Sequence, residues 1–226
     1  MRYDILREYC TNDDDVVRLN TYISYDEERA GYDMDYREKQ QAYFSIIRNM
    51  GFKVITKAIR RYYNEEGVQH SKADADLDIA IDTMEQAERL DKVVLLSGDG
   101  DFKRLVTALQ TRGVRVELIA FRNISRDLKE EVDHFISGFL IPSLVPIEGQ
   151  EPEDWGLIGF RTRGICYAIA DNYGFFKFYD LDMQLQEIFF HFSALPKGDY
   201  VRLDKVYEFT VEENERGLIA TEIELP

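Results

Sequence analysis

The chain has little of what several protein classes need. Only two of its 226 residues are cysteines, Cys10 and Cys166, and their wide separation within ordinary periodic segments indicates free thiols in a reducing compartment rather than a disulfide scaffold. No apolar run approaches the roughly 18 residues that a membrane span needs, and the N-terminus lacks the basic and apolar blocks of a signal peptide. We therefore expect a cytoplasmic protein with no membrane partner.

Positive charge is also scarce. The 28 Lys and Arg residues face 43 Asp and Glu residues, which gives a formal net charge of −15. Because phosphate neutralisation by Lys and Arg supplies most of the affinity of sequence-blind nucleic-acid binding, this charge argues against such a binder. It leaves a nucleic-acid substrate open, since divalent cations held by carboxylates can meet phosphates and aromatic rings can stack on single-stranded bases.

The most informative stretch is an apolar run that ends in two acids. Val93–Leu96 contains no polar residue and indicates a strand buried on both faces, as in a parallel sheet covered by helices. Asp99 and Asp101 follow, each after a glycine, and an amphipathic helix then ends at Gly113. Ligands of open α/β sheets bind at the carboxyl ends of strands. Two carboxylates so close together favour a Mg²⁺ or Mn²⁺ ion between them, while a helix cap is the alternative interpretation of either Asp alone.

A helix rich in aspartate is predicted just before this strand. Its period places Leu77, Ile81 and Met84 on one packed face. The aspartates near its start suit the positive end of the helix dipole, which alone would explain one or two of them. Asp76 and Asp82 are the pair that we expect to point at the same cation, and both can bind it directly only if Asp76 lies before or at the first turn.

The order of elements predicts two domains. Strands and helices alternate over residues 1–140, which is typical of a doubly wound, mainly parallel α/β sheet, and its last helix is expected to run from Arg126 to about Ile136. Prolines and acids in residues 141–155 predict an extended, semi-rigid linker. Five short strands in residues 156–226 predict a small all-β barrel of the oligonucleotide-binding (OB) kind.

Two segments carry aromatic residues that are suited to nucleic acid. A small barrel cannot bury every ring on its second and third strands, so we expect Phe175, Phe189 and His191 to face outward, where they could stack on bases. Because the barrel has seven Lys and Arg against twelve Asp and Glu, protein contact is the alternative role. Basic and aromatic residues also alternate around Arg61 and Tyr63, which favours RNA contact as much as a solvated strand edge.

The first half resembles a known family through these residues. The segment from Asp76 and Asp82 to the sequence SGDGDF at 97–102 resembles the NYN domain of the PIN-like nuclease superfamily, in its LabA-like branch. The resemblance implies a Mg²⁺- or Mn²⁺-dependent ribonuclease in which an activated water attacks a phosphodiester. It also implies that Asp76, Asp99 and Asp101 are catalytic metal ligands, with Asp82 as a further ligand.

One element of the NYN domain has no counterpart in this sequence. NYN domains open with a central strand that ends in an Asp and lies beside the strand at Val93, whereas Met1 falls in what corresponds to the following helix. A start placed too far downstream, a truncated chain, or an inactive domain that has closed the gap would each account for this.

The second half is similar to a cold-shock domain. Asn172–Phe178 stands where such domains have their first RNA-binding motif, and Glu187–Ser193 matches the second. The sequence therefore predicts a metal-dependent ribonuclease-type protein whose barrel binds single-stranded RNA. The alternative is a non-catalytic, RNA- or protein-binding regulatory protein with a degenerate NYN domain, and a homo-oligomer or a protein partner is compatible with both.

Overall fold

The computed structural model describes residues 1–11, 15–63, 69–72, 75–196, 198 and 200–226, with the backbone alone at 60, 62–63 and 69–72. The chain divides into two compact units. One comprises residues 7–118 and 123–135, and the other comprises residues 1–6, 119–122 and 136–226. No helix within the described ranges has the length and apolar character that crossing a bilayer requires.

Helices and strands alternate in the first 140 residues, as predicted. They are α1 (Tyr3–Thr11), β1 (Asn20–Tyr25), α2 (Glu27–Tyr32), α3 (Met34–Asn49), β2 (Lys53–Ala58), β3 (Arg60–Tyr63), β4 (Gln69–Lys72), α4 (Asp76–Gln86), β5 (Lys92–Leu96), α5 (Lys103–Thr111), β6 (Arg115–Ala120), α6 (Arg126–Glu131) and β7 (His134–Ser137). Strands β1 and β2 pair in parallel, β3 and β4 form an antiparallel hairpin, and β5, β6 and β7 form a sheet in that order. The predicted α/β class is confirmed.

Local sequence explains where several helices begin and end. The Asp33 carboxylate accepts a hydrogen bond from the Tyr36 backbone N–H at 2.9 Å and so caps α3. Gly113, with a φ of +80°, follows α5 in the left-handed conformation that commonly ends a helix. Val106 of α5 and Leu118 of β6 are fully buried, so the apolar face of α5 packs on the sheet as its period predicts.

The orientation of α4 differs from the prediction. Leu77 and Ile81 are 69% and 48% exposed, so the prediction that they lie on the packed face is wrong. The helix instead turns Asp82 toward β1, where the Tyr22 hydroxyl donates a hydrogen bond to its carboxylate at 2.7 Å. Ile79, Ala80 and Met84 pack against the core, so the packed face of α4 keeps Met84 of the predicted set but not Leu77 or Ile81.

The last predicted helix is also shorter than expected. It ends at Glu131, and the residues up to Ile136 that were predicted to be helical belong in part to strand β7. The reason lies at Asp133, whose carboxylate accepts a hydrogen bond from the Val116 N–H at 2.7 Å and whose own N–H donates to the Val116 carbonyl at 3.0 Å. These two bonds direct the chain along β6 as a strand.

Strand β5 is less buried than its composition predicts. Leu95 is buried, but Leu96 is 39% exposed and Val93 and Val94 are half-buried, so the prediction of burial on both faces is wrong. Within the described residues, β5 has a neighbouring strand on one edge, and so does β1. An edge strand of this kind leaves part of its surface uncovered.

The second unit contains the predicted five-stranded barrel. Its strands are β8 (Arg161–Ile169), β9 (Tyr173–Tyr179), β10 (Leu185–His191), β11 (Val206–Asn214) and β12 (Gly217–Glu224). They close in the order β10-β12-β11-β8-β9, in which only β10 and β12 pair in parallel. This is the OB architecture. Phe176 fills the centre, stacked on Phe190 and Phe209 at ring-centroid distances of 4.3 and 4.9 Å.

The segment predicted as a linker lies in the same compact unit as the barrel. Trp155 is 1% exposed, and its indole N–H donates to the Tyr179 carbonyl at 2.8 Å. Arg163 of β8 donates to the Val145 carbonyl at 2.7 Å. These contacts attach residues 141–155 to the barrel, while the domain boundaries proposed from the sequence stay predictions.

Candidate active site and outer aromatic face

The turn after β5 presents Asp99 and Asp101 at the carboxyl end of the strand. One oxygen of the Asp99 carboxylate accepts a hydrogen bond from the Asp101 N–H at 2.9 Å, and the Asp99 N–H donates to the Ser97 hydroxyl at 3.2 Å. Asp99 thereby caps the short 3₁₀ helix Gly100–Phe102 that leads into α5. Capping and ligand binding are compatible here, because the cap leaves the second oxygen of Asp99 and the carboxylate of Asp101 for a ligand.

Asp99 lines an open cleft whose opposite wall is the loop between β6 and α6. That wall consists of Asn123–Ser125. The Ser125 N–H donates to the Gly98 carbonyl at 3.0 Å, and a Cβ placed on Gly100 would lie 2.8 Å from the Ser125 hydroxyl oxygen. Because only glycine allows so close an approach, the two loops are held against each other with a defined spacing.

The acids of α4 bind groups on β1 and β2. The Tyr22 hydroxyl donates to Asp82, and Lys57 forms an ion pair with Asp78 at 2.6 Å. Burial, followed by the hydrogen bond to Asp82, raises the pKa of Tyr22 above its ordinary value, so the phenol keeps the proton that it donates. Asp76 is the first residue of α4, the position that direct binding of a shared cation with Asp82 would require.

The predicted metal ligands do not form one closed group. Among the residues that the structure describes, no three His, Cys, Asp or Glu side chains converge in a way that could hold a metal ion. Asp99 offers carboxylate oxygen in the lining of the cleft, and Asp101 follows it in the same turn. This donor set fits Mg²⁺, which commonly keeps several waters and binds one or two carboxylates together with substrate phosphates. Metal binding by Asp76, Asp82, Asp99 and Asp101 stays a prediction.

The outer face of the barrel carries a cluster of aromatic rings. Phe175 and Phe189 point outward, opposite the buried rings of their strands, and their centroids lie 5.7 Å apart at an interplanar angle of 73°. Tyr173 lies 5.7 Å from Phe189, and Tyr167 of β8 lies 6.2 Å from Phe175. We call Tyr167, Tyr173, Phe175 and Phe189 the outer aromatic face. Tyr167 was not among the residues predicted from the sequence, although its position on the strand before β9 was an available signal.

Polar groups border this face. Lys177 lies 4.3 Å from the centre of the Tyr167 ring and 3.4 Å from the Glu187 carboxylate. His191 is exposed, and its Nδ1 accepts a hydrogen bond from the Ser193 backbone N–H at 3.2 Å. With Nδ1 as the acceptor of this bond, a neutral His191 carries its proton on Nε2.

The second predicted RNA contact is only partly described. Both terminal nitrogens of Arg61 bind acids, one with Asp26 and the other with Glu28 at 2.6 Å. The guanidinium charge is thus offset within the chain. The side chain of Tyr63 lies outside the described residues, so its role in RNA contact stays a prediction.

Comparison with known proteins gives a family match and several similar proteins. Residues 1–144 match the NYN domain. The low amplitude and bright protein LabA of Synechococcus elongatus is 28% identical over 102 residues, which are 44% of this chain, and the match spans only 55% of LabA. A protein of unknown function from Vibrio parahaemolyticus is 29% identical, covers 60% of this chain and 76% of its own, and has a TM-score of 0.49. A structure of Drosophila Unr CSD456 is 27% identical over 30% of this chain and 27% of its own, with a TM-score of 0.25.

Proposed function

The chain belongs to the NYN domain family, whose domain accounts for residues 1–144, and we propose that it is a metal-dependent ribonuclease whose barrel binds the single-stranded substrate. The observation that carries this proposal is the pair Asp99 and Asp101 at the carboxyl end of β5, next to an open cleft. Substrates of α/β domains bind at this end of the sheet.

Asp99 and Asp101 would hold Mg²⁺ or Mn²⁺ in this cleft. When bound, such an ion lowers the pKa of a coordinated water and offsets the negative charge of the scissile phosphate. The protein holds Asp99 in place through the bonds to Ser97 and to the Asp101 N–H. Asp82, which Tyr22 holds from β1, would act as a more distant ligand or orient a cation-bound water.

The barrel would hold RNA by stacking. Every ring of the outer aromatic face lies within 6.2 Å of another, which makes a continuous apolar surface across the adjacent strands β8, β9 and β10. Base stacking contributes about 1–3 kcal/mol per base and tolerates any sequence. It also needs little positive charge, which matches the acidic composition of the barrel.

Cleavage of a labelled single-stranded RNA in the presence of Mn²⁺ tests the catalytic part. Asp99→Asn and Asp101→Asn should each abolish cleavage, because the amide cannot replace a carboxylate ligand. Asp35→Asn is the matched control, since Asp35 is an exposed acid of α3 that forms an ion pair with Lys39. Cleavage that continues unchanged in both active-site variants would contradict the proposal.

Binding of the same RNA at several salt concentrations tests the barrel. Each phosphate that the protein neutralises adds about −0.7 to the slope of log affinity against log salt concentration for single strands. If stacking dominates, few phosphates are neutralised, so the affinity should depend weakly on salt. Phe175→Ala should weaken binding and leave this slope unchanged. A steep slope that survives Phe175→Ala would place RNA binding on basic residues elsewhere.

A second candidate function is RNA binding without cleavage. It is favoured by the finding that, in the described part of the chain, no three acidic or imidazole side chains form a metal site. Asp82 and Asp78 would then serve only to attach α4 to β1 and β2. RNA that binds tightly but stays intact with Mn²⁺ would support this function.

A further inference from the structure

None of the described residues that line the cleft beside Asp99 has a cationic side chain. A phosphodiester is an anion, and it cannot approach a carboxylate closely unless hydrogen-bond donors or cations offset its charge. The residues that line the cleft are Gly98, Asp99, Gly100, Asn123, Ile124 and Ser125. Any side-chain donor for the phosphate must therefore come from Asn123 or Ser125.

The hydroxyl of Ser125 already has a structural role. It lies at the start of α6, where it accepts a hydrogen bond from the Leu128 N–H at 3.5 Å, and it packs directly on Gly100. The side chain of Asn123, by contrast, is exposed and makes no hydrogen bond with the residues that the structure describes. Its carboxamide NH₂ is therefore the donor that remains for a ligand.

We propose that Asn123 is a substrate-binding residue whose carboxamide donates a hydrogen bond to a phosphate oxygen of the RNA in the cleft. This inference rests on the proposed ribonuclease function and adds a residue of the opposite wall to Asp99 and Asp101. The loop that carries Asn123 is held at a fixed distance from the aspartates by the contacts of Ser125 with Gly98 and Gly100. The donor is thus already positioned before RNA binds.

The backbone at Asn123 makes a clean test available. Its φ is +54°, in the left-handed region that glycine and asparagine adopt more readily than other residues. Asn123→Gly therefore keeps the loop conformation and removes only the carboxamide. Asn123→Asp keeps the shape but replaces the donor with a negatively charged acceptor.

RNA affinity is measured with the full chain carrying two changes. Asp99→Asn prevents cleavage, and Phe189→Ala weakens RNA binding by the barrel. In this background, Asn123→Gly should weaken binding of a short labelled single-stranded RNA about 10-fold, as expected for one hydrogen bond to a charged group. Asn123→Asp should weaken it further. Without the Asp99→Asn change, Mn²⁺ titration followed by electron paramagnetic resonance should give the same affinity for Asn123→Gly and for the unaltered chain.

Three outcomes would overturn the inference. Unchanged RNA affinity in Asn123→Gly would mean that asparagine serves only the backbone conformation. Weaker Mn²⁺ binding in Asn123→Gly would mean that the carboxamide oxygen binds the cation instead. A lower melting temperature of Asn123→Gly would mean that any loss of RNA affinity comes from a destabilised fold. The proposed ribonuclease function fails separately, if Asp99→Asn alone leaves cleavage intact.

Discussion

Replacing Arg163 with methionine should destabilise the unit that contains the barrel. Arg163 is 4% exposed, and two of its nitrogens lie 2.8 Å from one oxygen of Glu208, which is itself buried. A third nitrogen donates to the Val145 carbonyl at 2.7 Å. Burial lowers the pKa of Arg163, and the neighbouring Glu208 opposes that shift.

The magnitude follows from what the substitution leaves behind. Removing one member of a buried ion pair destabilises a protein by about 3–5 kcal/mol, because the other charge stays buried without its partner. Glu208 would keep one partner, since Arg161 donates to its other oxygen at 2.9 Å. The Val145 carbonyl would lose its donor. We therefore expect a loss near the lower end of this range, about 3 kcal/mol in the free energy of unfolding.

Trp155 provides the assay. It is the one tryptophan of the chain, it is 1% exposed, and its ring lies 5.9 Å from the Arg163 guanidinium, so its fluorescence reports on unfolding of this unit in urea. The double variant Arg163→Met, Glu208→Leu should recover much of the loss, because an apolar pair needs no charge compensation. A loss below about 1 kcal/mol in the single variant, or no recovery in the double variant, would refute the reasoning.

Three other substitutions test separate features. A Cβ on Gly174 would lie 2.5 Å from a backbone carbonyl and 2.6 Å from the Phe190 ring, so Gly174→Ala should lower the melting temperature of the barrel, and an unchanged temperature would contradict the packing. Tyr22→Phe removes the donor to Asp82 and should lower the free energy of unfolding by about 1 kcal/mol in urea titration, whereas no change would mean that the bond is replaced by water. Phe189→Ala should weaken single-stranded RNA binding by about 1–3 kcal/mol in a fluorescence titration, and equal affinity would exclude this ring from the interface.

The turn at Asp99 could be predicted because local rules determine it. An apolar run, a glycine on either side of Asp99 and an amphipathic helix that ends at Gly113 are each visible in the sequence. The cleft could not be predicted. Its second wall begins more than twenty residues later, at Asn123, and the contact between Ser125 and Gly100 depends on the packing of α6.

The orientation of α4 shows where hydrophobic period fails. Apolar residues occur on more than one side of this helix, so the period alone leaves its inner face open. Ile79, Ala80 and Met84 pack on the core, whereas Leu77 and Ile81 are exposed. The partner of Asp82 is Tyr22, sixty residues away in the chain, and a contact at that separation leaves no mark on the local sequence pattern.

The outer aromatic face was partly predictable for a similar reason. Alternation along β9 and β10 separates the inner rings from Phe175 and Phe189, because neighbouring side chains of a strand point to opposite faces. Tyr167 was not predicted. Alternation from the buried Cys166 places Tyr167 outward, but its contact with Phe175 depends on the pairing of β8 with β9, whose register shifts between Cys166 and Ala168.

The acidic character of the chain constrains how both sites could meet RNA. Arg161 and Arg163 bind Glu208, and Lys177 lies between Tyr167 and Glu187, so these cations of the barrel are already offset. Bases on the outer aromatic face would be held by stacking, while a phosphate in the cleft would face Asp99 with an amide as its side-chain donor. Under the proposed function, a divalent cation would take the part that lysine and arginine play in basic RNA-binding proteins. Cation and phosphate should therefore favour each other's binding, since each offsets a charge that the other brings to the cleft.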